Sequence, residues 1–272
     1  MNSLKKRLTN LKVLWQYSKM TAIKSFYNDF FQLAEPSKAH ALFCERVYGK
    51  NLCQQGMMDM AQLEKLLEVL VLDEHNHVLE LGCGNGLITE YISDITGANI
   101  TGIDISEKAI EQARERTAGK QPRLTFNVQD LNQPDFPDHA FDTIIAIDVL
   151  HLLKDLKETL HLIKAILKPN GQMGILFTQR IPADGSMELL LPGKTKLAQA
   201  LKENNLNFQT LDLSEQERDH WRKKVRVLEE LEPGFEQEGN IFLYKLRLYE
   251  AKSIVKRGNR RSRYLYKVNA FA

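Results

Sequence analysis

The spacing of apolar residues along the chain changes near residue 73. Up to that point apolar residues recur at helical spacing, as in Leu63, Leu66, Leu67 and Leu70. This predicts amphipathic helices over residues 1–72. Beyond it, short runs rich in Val, Ile and Phe alternate with stretches of helical period. The alternation predicts βαβ units and an α/β fold with a mostly parallel sheet.

Five strands and three helices are predicted in residues 73–180. The strands are His77–Leu81, Asn99–Ile105, Leu124–Val128, Phe141–Val149 and Gln172–Thr178. The helices are Leu87–Ile95, Ser106–Arg116 and a segment from Asp155 to Leu167, which Lys168-Pro-Asn-Gly171 should end. Ligands of such sheets bind beyond the carboxyl ends of the strands.

The regular alternation weakens after residue 180. The pattern predicts a helix, a sixth strand, a charged helix, a long ambiguous segment and a final strand: Lys194–Asn204, Phe208–Leu213, Ser214–Glu232, Ile241–Val255 and Arg263–Asn269. Pro233-Gly234 should break the charged helix, and the length of the ambiguous segment favours a helix. Residues 181–262 are thus an insert with the sixth strand, and residues 263–272 complete a seven-stranded sheet.

The segment Val78-Leu-Glu-Leu-Gly-Cys-Gly-Asn-Gly86 joins the first strand to its helix. Its glycines let the backbone approach a ligand closely. A dinucleotide fingerprint requires glycine at position 87, where this chain has Leu87, and no GK[ST] follows for a phosphate loop. The carboxylate of Glu80 beside the loop suits a ligand that carries positive charge.

These residues carry a resemblance to a known family. Glu80-Leu-Gly-Cys-Gly-Asn-Gly86 resembles the first motif of class I S-adenosylmethionine (SAM)-dependent methyltransferases. Asp104 and Asp130 follow at the ends of the second and third strands, and Leu167-Lys-Pro-Asn-Gly171 is similar to the family's LKPGG. The resemblance covers about residues 76–180. It implies a Rossmann-like core over residues 73–180, SAM as cofactor and S-adenosylhomocysteine as product.

The resemblance also implies a set of cofactor-binding residues. Glu80 would face the cationic amino end of SAM, and the glycines would pass beneath its methionine and ribose portions. Asp104 would accept hydrogen bonds from the ribose hydroxyls, each worth about 1.5–3 kcal/mol to a charged group. Adenine would lie against the residues after the second and third strands. The full set is Glu80, Gly82, Cys83, Gly84, Asp104, Ile105, Asp130, Leu131 and Ile147.

Nucleic acid is disfavoured as the methyl acceptor. The related amino-methyltransferases carry a [DNS]PP[YF] run after the fourth strand, where this chain has Ile147-Asp-Val-Leu150. The cytosine C5 reaction uses a cysteine that usually follows proline, and no Pro-Cys occurs. A small-molecule acceptor is therefore expected.

The helical region at residues 1–72 resembles the lid of small-molecule methyltransferases. Tyr48-Gly-Lys-Asn-Leu-Cys-Gln-Gln-Gly56 and Ser25-Phe-Tyr-Asn28 are similar to stretches of the glycine/sarcosine, phosphoethanolamine and tocopherol-type enzymes. The resemblance makes Tyr27 and Tyr48 catalytic-site candidates in the lid, and His151 a candidate general base. The alternatives are half-buried helix aromatics and a polar residue at a helix start. The aromatic-rich insert 181–262 is expected to cap the substrate, with a dimer contact or plain helical packing as alternatives.

The charges are unevenly distributed. The 272 residues carry 37 Lys and Arg against 35 Asp and Glu, a net charge of +2. Residues 1–24 hold six basic residues and residues 252–272 hold seven, with no acids, so the middle has 24 basic against 35 acidic residues, a net charge of −11. We expect the basic ends to pair within one folded unit or to line an entrance for an anionic substrate, and stability to depend mildly on salt without affinity for RNA.

The composition also indicates the cellular compartment and the class of function. No apolar run reaches the roughly 20 residues of a membrane span, and neither a signal peptide nor a metal-ligand motif is evident. Three cysteines without a CxxC motif favour a reducing compartment, hence the cytoplasm. The predicted function is SAM-dependent methylation of a small molecule, with amine nitrogen ahead of hydroxyl oxygen. A SAM-using cyclase or lyase that releases methylthioadenosine and an RNA-binding methyltransferase-like protein are the alternatives, and a homodimer stays open.

Overall fold

The computed structural model of the protein describes residues 20–270. Their helices are α1 Met20–Ala34, α2 Lys38–Tyr48, α3 Met60–Leu70, α4 Leu87–Thr96, α5 Glu107–Arg116, α6 Leu156–Ile166, α7 Lys196–Glu203, α8 Ser214–Gln237 and α9 Ile241–Arg257. The strands are β1 His77–Leu81, β2 Asn99–Asp104, β3 Leu124–Val128, β4 Phe141–Ile147, β5 Leu167–Arg180, β6 Asn207–Asp212 and β7 Arg261–Asn269.

All seven strands form one sheet in the order β3-β2-β1-β4-β5-β7-β6. Strands β1 to β5 pair in parallel, whereas β7 is antiparallel to both β5 and β6. The predicted Rossmann-like, mostly parallel sheet is confirmed. The chain reverses its winding between β1 and β4, so their carboxyl ends form the crevice where such folds bind ligands.

Apolar side chains alternate between the two faces of the sheet. Leu79 and Leu81 of β1 belong to the core beneath α6 and α7, whereas Val78 faces the core formed with α3, α4 and α5. Side chains of capping residues fix several helix starts. Ser106 Oγ accepts from Ala109 N, and Asp155 Oδ1 accepts from Glu158 N.

A third core joins α1 and α2 to α8 and α9. We call these four helices the helical cover. Buried side chains from both ends of the sequence meet there, such as Phe43 and Tyr48 of α2 with Trp221 and Phe235 of α8. The predicted lid and the predicted insert therefore share one apolar core.

The prediction that Pro233-Gly234 ends a helix is wrong, because α8 continues to Gln237. A proline inside a helix removes one backbone hydrogen bond. Beyond it, however, Phe235 is completely buried in the helical cover. Glu238 also accepts hydrogen bonds from Ser37 Oγ at 2.6 Å and Ala39 N at 2.8 Å, at the start of α2. The stabilisation from this packing outweighs the tendency of Pro233-Gly234 to end the helix.

Strand β5 also differs from its prediction. Helix α6 ends at Ile166, but Lys168-Pro-Asn-Gly171 belongs to β5, which begins at Leu167. Leu167 pairs with Phe141, and a bulge follows before regular pairing resumes. Lys168 Nζ lies 2.9 Å from both carboxylate oxygens of Asp142, which ties this irregular stretch to β4.

Three of the seven basic residues between positions 252 and 270 form ion pairs within the described part of the chain. Arg261 forms an ion pair with Glu217 at 2.5 Å, Arg263 with Asp148, and Lys252 with Glu229 at 2.6 Å. Most of the N-terminal basic run lies outside the described residues. Within residues 20–270, no helix combines the length and the apolar character that crossing a bilayer requires.

Candidate active site

A cavity lies at the carboxyl ends of β1, β2 and β4 and extends under α1. All nine cofactor-binding residues predicted from the sequence line it, together with side chains of α1 and of the segment between α2 and α3. The lining includes Tyr27, Phe31, Gln54, Gln55, Gly56, Glu80, Gly82, Cys83, Gly84, Asn85, Asp104, Ile105, Asp130, Leu131, Ile147 and Asp148.

The glycine loop is held against β2. Gly82 N and Cys83 N both donate to the carbonyl oxygen of Ile103, at 2.8 and 3.0 Å. Gly82 and Gly84 have φ angles of +71° and +55°, in the left-handed region that glycine tolerates. A Cβ atom at Gly84 would lie 2.6 Å from the Phe31 ring of α1. Only glycine therefore lets the loop and α1 approach this closely.

Asp104 connects the end of β2 to the glycine loop. Its Oδ2 accepts from Gly84 N at 2.9 Å and its Oδ1 from Ser106 N at 2.8 Å. Burial raises the pKa of its carboxyl, although these backbone hydrogen bonds work in the opposite direction. Each carboxylate oxygen has two lone pairs. Asp104 thus retains acceptor capacity toward the cavity while it fixes the loop.

Glu80 is the second buried acid of the cavity. Its side chain is 2% exposed, and Thr89 Oγ1 donates to its carboxylate. Burial raises the pKa of Glu80 to about 7, the Thr89 hydrogen bond lowers it, and the charge of Asp104 raises it further. Two buried carboxylates side by side favour a ligand that brings positive charge.

The affinity for SAM is expected to rise with pH between about 5.5 and 7, by up to roughly tenfold, and to level off above the pKa of Glu80. Burial raises the pKa of Glu80 to about 7, so part of the protein carries a proton on this carboxyl when no ligand is bound. A cationic ligand favours the ionised carboxylate, and its binding therefore releases that proton. Calorimetry in buffers of different ionisation enthalpy measures both affinity and proton release. Glu80→Gln should bind more weakly and with a flat pH profile. Equal proton release by both proteins would contradict the assignment.

The far end of the cavity is formed by the residues after β2 and β3. Ile105 and Leu131 contribute apolar surface. Asp130 Oδ1 accepts from Asn132 N at 2.9 Å and from Asn132 Nδ2 at 2.7 Å. A planar base suits this combination of apolar walls and an oriented carboxylate.

Tyr27 extends from α1 into the cavity. No hydrogen bond from a described residue to its hydroxyl is present, so the hydroxyl is available to a ligand. Burial raises the pKa of Tyr27, and the charges of Asp104, Glu250 and Asp148 add to this, whereas Arg180 lowers it. The phenol is therefore protonated at physiological pH.

Tyr48, predicted from the sequence as a catalytic-site candidate in the lid, lies behind the cavity wall and does not line the cavity. The side chain is 1% exposed and packs in the helical cover. Its hydroxyl donates to the carbonyl of Gly56 at 3.0 Å and accepts from Arg247 at 2.8 Å. The sequence pattern located Tyr48 at the end of a helix but carried no information on which way its ring points.

Two buried cations of the helical cover hold the wall segment 54–56 by its backbone. Arg247 of α9 donates to the carbonyls of Gln54 and Gln55, at 2.9 and 2.8 Å. Lys224 of α8 donates to that of Gly56 at 2.9 Å and lies over the Trp221 ring. Burial lowers the pKa of Lys224 to about 7. The insert therefore shapes the cavity without lining it.

Asp148 is a cavity residue that the sequence did not indicate. It follows β4 with a φ of +54°, and its Oδ2 accepts from Met57 N at 2.7 Å. Burial would raise the pKa of its carboxyl, but the charge and hydrogen bonds of Arg263 hold it below its usual value. The completely buried Arg263 also donates to Gln62 and Thr178.

His151 stands just beyond this cavity, in the turn after β4. It is exposed, and it is not one of the residues that line the cofactor cavity. The surrounding protein nevertheless lowers its pKa to about 4, by desolvation first and then through the charge of Arg180. The imidazole is therefore neutral at physiological pH and able to accept a proton.

The cavity fits SAM in three respects. The acids Glu80 and Asp104 complement a cationic ligand, and Ile105 and Leu131 provide apolar walls for a base. In addition, Asn85 Nδ2 is buried with no partner in the described part of the chain, so it offers a donor to the carboxylate of the cofactor.

The sequence and the fold were compared with those of known proteins, and the matches are consistent with a SAM-binding cavity. Residues 78–171 match the methyltransferase domain family. The chain is 28% identical over 162 residues to 27-O-demethylrifamycin SV methyltransferase of Amycolatopsis mediterranei, over 55% of this chain and 59% of that enzyme. It thus spans less than two thirds of the length of the curated relatives it matches.

Two solved structures share the fold. Phosphoethanolamine N-methyltransferase 2 of Haemonchus contortus, in complex with phosphomonomethylethanolamine and S-adenosylhomocysteine, superposes with a TM-score of 0.72 at 16% identity, over 90% of this chain and 60% of that one. The [4+2]-cyclase SpnF superposes with a TM-score of 0.71 at 17% identity, over 92% and 96% of the two chains.

Together, the sheet order, the glycine loop and the family match define the class. Residues 78–171 match the methyltransferase domain family, and the sheet has the fold of the class I SAM-dependent methyltransferases. The methyltransferase domain occupies residues 78–171, and the helical cover is built from the sequence on both sides of it.

Proposed function

We propose that this enzyme methylates a small-molecule acceptor, at an amine nitrogen in preference to a hydroxyl oxygen. The observation that carries the proposal is the cavity under α1, which Tyr27 lines and beside which His151 lies in the turn after β4. The protonated phenol of Tyr27 faces it, and the neutral imidazole of His151 stands just outside. The helical cover lies over this region, which favours a compact acceptor that it can enclose.

The protonation states of these groups support an amine acceptor. When bound, SAM supplies an electrophilic methyl group on a sulfonium. His151 accepts the proton that the acceptor loses, and its pKa near 4 makes it a weak base. A neutral amine attacks the methyl group without prior removal of a proton, whereas an alcohol requires a base as it attacks, for which a weak base is poorly matched. Tyr27 orients the acceptor by donating a hydrogen bond or by presenting its ring to a cation.

The relatives support a small molecule as the acceptor. Their names include a rifamycin methyltransferase and phosphoethanolamine N-methyltransferases. These names cover both an oxygen and a nitrogen acceptor, so the preference for nitrogen rests on the protonation states above.

Incubation with SAM and a cell metabolite extract, followed by mass spectrometry, tests the function. We expect S-adenosylhomocysteine together with a product one CH₂ unit heavier than its acceptor. Methylthioadenosine as the only coproduct would instead identify a cyclase or lyase. Salt-sensitive retention of RNA without turnover would identify a binding protein.

Replacing His151 should slow the reaction while leaving cofactor binding intact. His151→Ala is expected to lower kcat by about 10²-fold at saturating SAM, because it removes the general base. SAM affinity should be unchanged, since His151 lies outside the cofactor cavity. His161→Ala, at an exposed position on α6, is the matched control. A kcat equal to wild type would show that His151 does not transfer the proton.

A further inference from the structure

A small recess lies where α8, α9 and the start of β7 meet. Its walls are formed by the first half of α8, the last turn of α9 and the segment that leads into β7. The residues that line it are Glu217, Arg218, Trp221, Arg222, Ile254, Val255, Gly258, Asn259 and Arg261. None of them lines the cavity at the carboxyl ends of the strands, so the recess is a separate site on the molecule.

Arg261 is buried in this recess with unused hydrogen-bond donors. The residue is 8% exposed, and its Nη2 donates to Glu217 Oε1 at 2.5 Å. Its Nε and Nη1 have no acceptor within residues 20–270. Buried donors are almost always paired, because leaving one unpaired costs about 1–3 kcal/mol, and more for a charged group. These two nitrogens therefore favour a ligand that accepts hydrogen bonds.

The charge of the recess favours an anion as that ligand. Three arginines and one acid line it, which gives a net charge of +2. The acid, Glu217, is already engaged, because its Oε1 accepts from Arg261 and from Trp221 Nε1 at 3.2 Å. The carbonyl groups at the C-terminus of α9 contribute only about half a negative charge. The excess of positive charge is therefore not cancelled by the protein.

The ion pair with Glu217 does not offset the cost of burying Arg261. Burial lowers the pKa of Arg261 to about 10, even though the charge of Glu217 raises it, and the charge of Arg180 lowers it as well. A second negative group beside the guanidinium would stabilise its charged form.

Arg218 and Arg222 reach the same recess from the rim. They are four positions apart on α8 and therefore share one face of the helix. Arg218 has no ion-pair partner in the described part of the chain. Arg222 pairs with Asp219, but both side chains are largely exposed, and such a pair contributes at most about 1 kcal/mol. Both guanidinium groups are therefore available to a ligand.

We propose that this recess binds a phosphate group, held by Arg261 from within and by Arg218 and Arg222 from the rim. A tetrahedral phosphate has enough oxygen atoms for three guanidinium groups, whereas a carboxylate has only two. The ligand is inorganic phosphate or the phosphate monoester of a small metabolite. The inference does not depend on the identity of the methyl acceptor.

Trp221 connects the recess to the wall of the cofactor cavity. Its ring lies 5.4 Å from Arg261 Cζ and 4.0 Å from Lys224 Nζ, and Lys224 donates to the carbonyl of Gly56 in the wall. A phosphate bound to Arg261 changes the charge beside this ring. The fluorescence of Trp221 therefore reports on binding.

Titration of the full chain with inorganic phosphate tests the proposal. The chain has two tryptophans, so Trp15→Phe leaves Trp221 as the sole one. At constant ionic strength we expect a saturable change in fluorescence in the millimolar range or below, which sulfate reproduces and chloride does not. Glycerol phosphate distinguishes the two sources. Tighter binding than that of inorganic phosphate identifies a monoester, and equal or weaker binding identifies inorganic phosphate.

Variants of the three arginines locate the site. Arg218→Gln combined with Arg222→Gln should weaken phosphate binding roughly 10- to 100-fold, and both positions are exposed, so the fold is retained. Arg261→Lys should also weaken it, because the lysine keeps a charge beside Glu217 but lacks the two free donors. Arg226→Gln, exposed on α8 outside the recess, is the matched control and should bind like wild type. SAM affinity should be unchanged in all of them.

Three results would overturn the proposal. The first is a response that rises linearly with phosphate or that sodium chloride reproduces. The second is unchanged phosphate affinity in the Arg218→Gln and Arg222→Gln double variant, since the phosphate would then bind elsewhere, the cofactor cavity included. The third is the absence of both a fluorescence change and heat in a calorimetric titration of the same protein.

Discussion

Asp104→Ala will weaken SAM binding by roughly 100-fold or more. Each hydrogen bond to a charged carboxylate is worth about 1.5–3 kcal/mol, and about 1.4 kcal/mol corresponds to a factor of ten. Asp104 is expected to accept two such bonds from the ribose hydroxyls, and it also fixes Gly84 N at 2.9 Å. Its removal therefore costs ligand contacts and the order of the loop together. Calorimetric titration with SAM measures the loss.

Two further variants of the chain serve as controls for this measurement. Asp104→Asn preserves the shape of the side chain but not its charge, and it should bind SAM with intermediate affinity. Asp138→Ala removes an acid at an exposed position outside the cavity and should leave the affinity unchanged. If Asp104→Ala folds with a normal melting temperature and binds SAM like wild type, the ribose assignment is wrong.

Arg263→Met is expected to destabilise the protein by about 3–5 kcal/mol, the usual cost of removing one partner of a buried ion pair. Arg263 is completely buried, and its loss leaves the carboxylate of Asp148 without its ion-pair partner and Gln62 Oε1 without its donor. Because the ion pair holds the pKa of Asp148 below its usual value, the stabilisation is complete above roughly pH 4 and is lost as the pH falls further. Urea denaturation at pH 7 measures the change.

A double-mutant cycle distinguishes the ion pair from simple packing. Asp148→Asn combined with Arg263→Met should be clearly more stable than the sum of the two single effects predicts, because the uncompensated charge is gone. Additive effects would mean that the two side chains stabilise the fold independently. The amide oxygen that Asp148→Asn introduces can still accept from Met57 N, so the wall segment is retained in the double variant.

The residues that line the cavity at the carboxyl ends of the strands were predictable because they follow one another closely in sequence. Glu80, the glycine loop and Asp104 lie at consecutive strand ends, and a parallel sheet brings consecutive strand ends to one edge. Local spacing therefore contains most of the information about this half of the site.

The residues that shape the acceptor side were not predictable in this way. Arg263 bonds Asp148 across 115 positions of sequence, and Arg247 bonds the carbonyl of Gln54 across 193. Neither pair leaves a local pattern, since a buried arginine and an exposed one look alike in sequence. Tyr48 was misjudged for the same reason, because periodicity gives the helix but not the neighbours that enclose a ring.

The continuation of α8 through Pro233 has a related cause. Local rules describe what a segment prefers in isolation. The burial of Phe235 and the contacts of Glu238 with α2 come from residues about 200 positions away, with separations of 201 and 199. Tertiary packing therefore determines where α8 ends. In strands β1 to β4, by contrast, the local sequence preference and the packing favour the same structure.

The position of β7 has a consequence for synthesis on the ribosome. It is the last described strand along the chain, yet it lies between β5 and β6, which are synthesised earlier. Until β7 has left the exit tunnel, β5 and β6 have no common neighbour, and Asp148 has no Arg263 to neutralise it. Domains generally fold from the N-terminus as they emerge. The nascent chain therefore displays an open sheet edge at β5 and an incomplete cavity wall until β7 emerges.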